Sequence, residues 1–156
     1  MNVLLMYRGL CSLYQTCVEN HSRHFVRNCF KNVVTDGEIA GYLGEWATIG
    51  IVAPRRSGKS LSIVQFIKDN RRLRCLIVTP VKQQAEIYME KGVKATSIRC
   101  LGTVDLGDLD VLIVDEWDWM GSMKKIVRFC IPFVKSHASR KRPFVLMLMS
   151  TKHLEV

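Results

Sequence analysis

No stretch of this 156-residue chain is apolar for long enough to cross a bilayer. The apolar N-terminus from Met1 is broken by Arg8, Gln15, Glu19 and Asn20, well short of the roughly 20 residues a spanning helix needs. It also lacks a basic leader followed by an uninterrupted apolar core, so it does not read as a signal peptide. No membrane partner is expected. Acidic side chains are scarce: 14 against 23 basic ones, a formal charge of +9. That excess suits a polyanionic partner or, equally, a solubilising surface. Internal repeats and low-complexity tracts are missing as well. Six cysteines are present, and Cys75 and Cys100 lie in apolar, strand-like runs. Free buried thiols of that kind fit an intracellular, reducing compartment.

What is present suits one domain around one core. Residues 1–44 read as a helical lead. Leu4, Leu5, Tyr7, Leu10, Leu13, Tyr14, Cys17 and Val18 recur at helical spacing, and Phe25, Val26, Cys29, Phe30 and Val33 repeat the pattern. Asp36-Gly37 reads as a break, with Gly41 and Gly44 joining the lead to a first strand. Residues 45–156 alternate between strand and helix. Strands are expected at Ala47–Ala53, Arg74–Val78, Ala95–Leu101, Val111–Val114 and Pro143–Met149. Helices are expected at Ser60–Asn70, with Leu61, Val64 and Ile67 on one face, at Val81–Lys91 and at Met120–Val134, with Pro132 near its end. Short apolar strands separated by helices indicate an α/β fold with a mainly parallel sheet.

Two segments carry chemistry. Ala53-Pro54-Arg55-Arg56-Ser57-Gly58-Lys59-Ser60 has P-loop spacing, with Ala in the position where Gly is commoner. It follows a strand and precedes a helix, as a phosphate cradle must. Backbone N–H groups of such a loop, with the helix N-terminus, form a concave anion site. Lys59 would reach the β- and γ-phosphates of ATP, and the Ser60 hydroxyl would bind Mg²⁺. The second segment is Val111-Leu-Ile-Val-Asp115-Glu116. An apolar strand there delivers carboxylates to its C-terminal end, where open α/β sheets place their ligands. Asp115 would hold Mg²⁺ through its water shell, and Glu116 would polarise the attacking water as general base.

A P-loop containing Pro-Arg-Arg, an Asp-Glu strand end and a later strand closing in Ser150-Thr151 resemble the ATPase domain of viral terminase large subunits. The resemblance runs from about Thr48 to Thr151. It implies a RecA-like P-loop NTPase of the additional-strand, catalytic-glutamate branch, with the Ser-Thr strand between the other two motif strands. It implies ATP hydrolysis coupled to movement along double-stranded DNA, with the active form a homo-oligomer. It also implies a virus-encoded protein acting in the host nucleus or cytoplasm. Arg55 matches an arginine that acts in cis on the γ-phosphate in that family, with Arg56 as the alternate. Ser150 and Thr151 match a pair that senses the γ-phosphate. Thr79-Pro80, with Gln83 and Gln84, is similar to a segment coupling nucleotide to nucleic acid; it reads equally as a Thr cap with Pro at the first helical position.

Asp115-Glu116-Trp117-Asp118 also fits the Asp-Glu-x-Asp form of superfamily 2 helicases, so a helicase-type half-domain is a second reading. A nucleotide-dependent scaffold without turnover is a third. The chain ends at Val156, so it reads as a stand-alone ATPase, as one exon or fragment of a split motor, or as a subunit whose partner chain supplies a nuclease or second motor domain. Among the remaining motifs, Cys17, His21, His24 and Cys29 are four candidate zinc ligands, although on a helix they would not share one face. The basic run Lys135–Arg142 reads as a phosphate-contacting loop or a solvated connection. Trp117 and Trp119 would stack on a base or pack on the sheet.

Overall fold

The computed structural model describes residues 3–21, 35–54, 58–103, 107–117, 123–138 and 140–152. Five strands form one parallel sheet: β1 (Thr48–Pro54), β2 (Cys75–Thr79), β3 (Ala95–Ser97), β4 (Val111–Asp115) and β5 (Val145–Lys152). Their spatial order is β1-β5-β4-β2-β3. The last strand of the chain therefore inserts between the first and the fourth. Helices α1 (Val3–Asn20), α2 (Asp36–Trp46), α3 (Lys59–Asp69), α4 (Lys82–Glu90) and α5 (Met123–His137) cover the two faces.

The central strands explain the architecture. Every residue of β2 and β4 is buried, which only a sheet covered on both sides permits. Successive side chains in a strand point to opposite faces. Cys75, Ile77, Val111, Ile113, Val145 and Met147 accordingly join one core, with Leu10 and Tyr14 of α1 and Ile63 and Phe66 of α3. Leu76, Val78, Leu112, Val114 and Leu146 join the other, with Ile39 and Leu43 of α2 and Ile126 and Cys130 of α5. Each fully buried Leu or Ile contributes about 1.5–3 kcal/mol relative to exposure. The N-terminal helix shares this core: Tyr14 meets Phe66 edge-on at 5.6 Å, and Tyr7 Oη donates to Asp69 Oδ2 at 2.5 Å.

Local differences from the sequence reading have identifiable causes. Asp36-Gly37 opens α2, directly after Thr35 in extended backbone; residues 25–33, whose helical pattern the pair is expected to end, lie outside the described residues. Thr35 Oγ1 accepts from the Glu38 amide at 3.2 Å and lies 3.2 Å from Glu38 Oε1, a T-x-x-E capping arrangement. Gly41 and Gly44 lie inside that helix rather than in a linker. The third strand stops at Ser97, and Ile98–Thr103 is a 3₁₀ helix, so Cys100 is exposed while Cys75 is buried. Helix α3 turns Ile63, Val64 and Phe66 inward and leaves Leu61 in solvent. Pro132 sits inside α5, which continues to His137; the proline is on the exposed side, where the carbonyl it leaves unbonded can face water.

Candidate functional site

The strand order brings three C-terminal strand ends side by side. In the register of the sheet, Asp115 lies opposite Met149, and Thr151 lies opposite Ala53. The chain leaves β1 at Pro54 and re-enters the described structure at Gly58. Arg55, Arg56 and Ser57 lie outside the described residues. Gly58 precedes α3 with φ of 83°, a left-handed conformation that glycine adopts without a Cβ clash. The next residue, Lys59, opens the helix.

Lys59 Nζ is the hub of the site. It lies 2.9 Å from Asp115 Oδ1 and donates to Glu116 Oε1 at 2.6 Å and to Thr151 Oγ1 at 3.0 Å. Thr151 Oγ1 in turn donates to Glu116 Oε1 at 2.5 Å. The ammonium thus has two hydrogen-bond acceptors, with Asp115 Oδ1 beside it as an ion-pair partner. Its side chain is 10% exposed, and the carboxylates are 9% and 18% exposed, so little solvent screens the charges. Burial opposes the Lys59 charge, but the Glu116 and Asp115 carboxylates outweigh it and raise its pKa above that of an ordinary lysine. For Glu116, burial raises the pKa, while Lys59 and Thr151 win and bring it below the usual carboxylate value. Both groups are charged at neutral pH.

Two features were not legible in the sequence motifs. Tyr88, on the buried side of α4, donates its hydroxyl to Asp115 Oδ2 at 2.7 Å and lies 3.2 Å from Ser60 Oγ. It is 3% exposed, and burial followed by the Asp115 charge pushes its pKa far up. The only sequence signal is one large aromatic with a polar tip, three residues after buried Ala85. The second feature is backbone strain. Glu116 has φ of 54°, and among the described residues it is the one non-glycine in that region. A left-handed residue bearing a Cβ costs roughly 1–2 kcal/mol, and such strain concentrates at functional sites.

The remaining sequence candidates are distributed as follows. Asp115 and Thr151 share the face that carries Ile113 and Met149; Ser150, buried, takes the opposite one by strand alternation. Thr79 does not cap α4, whose N-cap is Val81 without a side-chain bond; Thr79 Oγ1 instead donates to the Val81 carbonyl at 2.7 Å. Gln84 Oε1 is buried with no partner among the described residues. Trp117 is half-buried against the core on the α5 face; Trp119 lies outside the described residues.

Several residues of the Lys135–Arg142 run are tied into the opposite edge of the sheet rather than free for phosphate. Lys135 pairs with Asp36 at 3.2 Å, Arg140 pairs with Asp108, and buried His137 meets Asp110 Oδ1 at 2.7 Å. Lys141 and Arg142 remain exposed. Of the zinc candidates, Cys17 is buried in the core, and both ring nitrogens of His21 are engaged, by Tyr42 Oη and the Arg140 carbonyl. His24 and Cys29 lie outside the described residues. Among the described residues no cluster of His, Cys, Asp and Glu is arranged to hold a metal ion, and no helix is long and apolar enough to cross a membrane. No family model matches the sequence, and no curated protein matches it.

Proposed function

We propose that this chain is a RecA-like P-loop ATPase that hydrolyses ATP with Mg²⁺ and couples turnover to movement along double-stranded DNA, as terminase motors do. One observation carries the reading. Lys59, Asp115, Glu116 and Thr151, drawn from two strand ends and a helix start, meet in one cluster of hydrogen bonds and ion pairs. The cluster lies at the C-terminal edge of a parallel sheet, beside a glycine-started helix N-terminus. That is where such sheets bind ligands and where a phosphate is best stabilised.

The residues fit the groups they would hold. Ser60 and Asp115 offer hard oxygen donors of the kind Mg²⁺ takes. When bound, that ion would neutralise charge on the phosphoryl oxygens. Lys59, now balanced against two carboxylates, would turn its protons to the β- and γ-phosphates. Glu116 would then keep Thr151 as its anchor and, being ionised at neutral pH, would accept a proton from water. Arg55 would neutralise charge developing on the γ-phosphoryl group. A polyanionic partner is supported by exposed Lys68, Arg71, Arg72, Lys94 and Arg142. They flank two clefts of about 360 and 410 Å³ at the opposite sheet edge. None of the five forms an ion pair among the described residues.

The test is steady-state ATP hydrolysis by the purified chain, alone and with duplex or single-stranded DNA, beside Glu116→Gln. Duplex-stimulated turnover that Glu116→Gln abolishes, with ATP binding retained, is the expected result. Stimulation by single strands alone would favour the helicase-type reading. Binding without turnover in every condition would leave a nucleotide-dependent scaffold.

A further inference from the structure

The Tyr88 hydroxyl stands between the two residues that the proposed function assigns to the cation. It is 2.7 Å from Asp115 Oδ2 and 3.2 Å from Ser60 Oγ. A phenol has one proton. The shorter contact, to a carboxylate, takes it, because a charge-assisted hydrogen bond is the stronger of the two. Ser60 is then left facing the lone pairs of Tyr88 Oη, so its own proton can point there. The result is a directed chain, Ser60 O–H to Tyr88 O–H to Asp115. Its consequence for Asp115 is a division of labour: Oδ2 is held by Tyr88, and Oδ1 faces Lys59 at 2.9 Å. When Lys59 turns to phosphate, Oδ1 is the oxygen released. The Ser60 lone pairs, with the proton directed to Tyr88, are free in the same way.

The ring makes this arrangement stiff. Tyr88 packs in the core with Ile63, Ile77 and Ile113 and is 3% exposed. The hydroxyl cannot swing to solvent without displacing α4.

We infer that Tyr88 is a positioning residue for the divalent cation: it orients the Ser60 hydroxyl and the Asp115 carboxylate so that their free lone pairs converge on one point. The inference rests on the reading of this site as an Mg²⁺-nucleotide site. Partners of this kind, one shell outside the ligands, typically change metal affinity by about 10- to 100-fold when removed.

The experiment is a titration of Mg²⁺ into the full chain with a fluorescent ATP analogue, reading the cation concentration at half-maximal binding. Tyr88→Phe keeps the ring in the core and deletes only the hydroxyl. It should raise the Mg²⁺ midpoint about 10- to 100-fold while leaving nucleotide affinity in chelator unchanged. Because Tyr88 acts partly through Asp115, Tyr88→Phe should raise the midpoint by a smaller factor in an Asp115→Asn background than in the parent. A merely structural tyrosine would lower thermal stability and leave the Mg²⁺ midpoint in place. An unchanged or lowered midpoint in Tyr88→Phe, with the parent Mg²⁺-dependent, overturns the inference while sparing the site. A parent that binds no nucleotide, or binds it without regard to Mg²⁺, overturns both. If Tyr88→Phe does not fold, the parent decides by NMR with ζ-¹³C-tyrosine. The Tyr88 ζ-carbon should shift on adding Mg²⁺ to the nucleotide complex, and a resonance that does not move overturns the inference.

Discussion

Lys59→Met tests whether the site is held together by its central cation. The substitution keeps the apolar stem and removes the ammonium, leaving Asp115 and Glu116 adjacent, mostly buried, and without the charge that now lies 2.9 and 2.6 Å from them. Breaking a buried ion pair by deleting one partner costs about 3–5 kcal/mol. Glu116 is the more exposed partner and keeps its Thr151 bond, so the lower end applies, about 3 kcal/mol at neutral pH. For a chain of this size that is a fall in Tm of about 6–12 °C. The sign of the pH effect follows from the shifts. In the parent, Glu116 has a depressed folded pKa, so its contribution is present above the unfolded carboxylate value and is lost as pH falls through the folded one. In the variant, burial and the neighbouring carboxylate raise the folded pKa instead. The penalty then exists at neutral pH and fades towards acid. Circular dichroism melts from pH 4 to pH 8 should show the gap between parent and variant closing on the acid side. Lys59→Met/Glu116→Gln should recover part of the neutral-pH loss. A variant within about 1 kcal/mol of the parent at pH 7, less than the smallest cost expected of a broken buried pair, with no pH trend, would refute the reasoning.

Other substitutions probe separate links of the argument. Gly58→Ala places a Cβ on a residue with φ of 83° and should cost about 1–2 kcal/mol in urea unfolding; no loss would mean the loop relaxes freely. Ile113→Ala removes a wholly buried side chain of a central strand and should cost about 2–5 kcal/mol, read in the same assay. A loss below that range would place Ile113 outside the packed core. Arg55→Ala should leave the Kd for ATP nearly intact and lower kcat by about 10³-fold or more. Equal turnover would remove Arg55 from the chemistry.

The order of elements was legible because each is a local pattern. The apolar runs Cys75–Thr79 and Val111–Asp115 are buried strands, and the helical spacing of Leu10, Tyr14 and Cys17 becomes the inward face of α1. The start of α2 was also written locally, as Thr35-x-x-Glu38, but the Asp36-Gly37 pair inside it reads as a turn. A side-chain cap outweighs one poor helix former. Beside the P-loop and Asp-Glu motifs, the residues that complete the cluster are set by tertiary structure. The placement of β5 between β1 and β4 agrees with the strand order the resemblance implied, and the contact of Lys59 with Thr151 is made by that pairing. Tyr88 looks like one more core aromatic until α4 packs its hydroxyl against Asp115, and His137 looks like part of a basic run until α5 buries it on Asp110. Chain order and residue type are short-range information, and they determined the strands, the helices and the motif residues. Which polar groups meet depends on contacts between distant segments, and only the packing of helices on both faces of one sheet decided that.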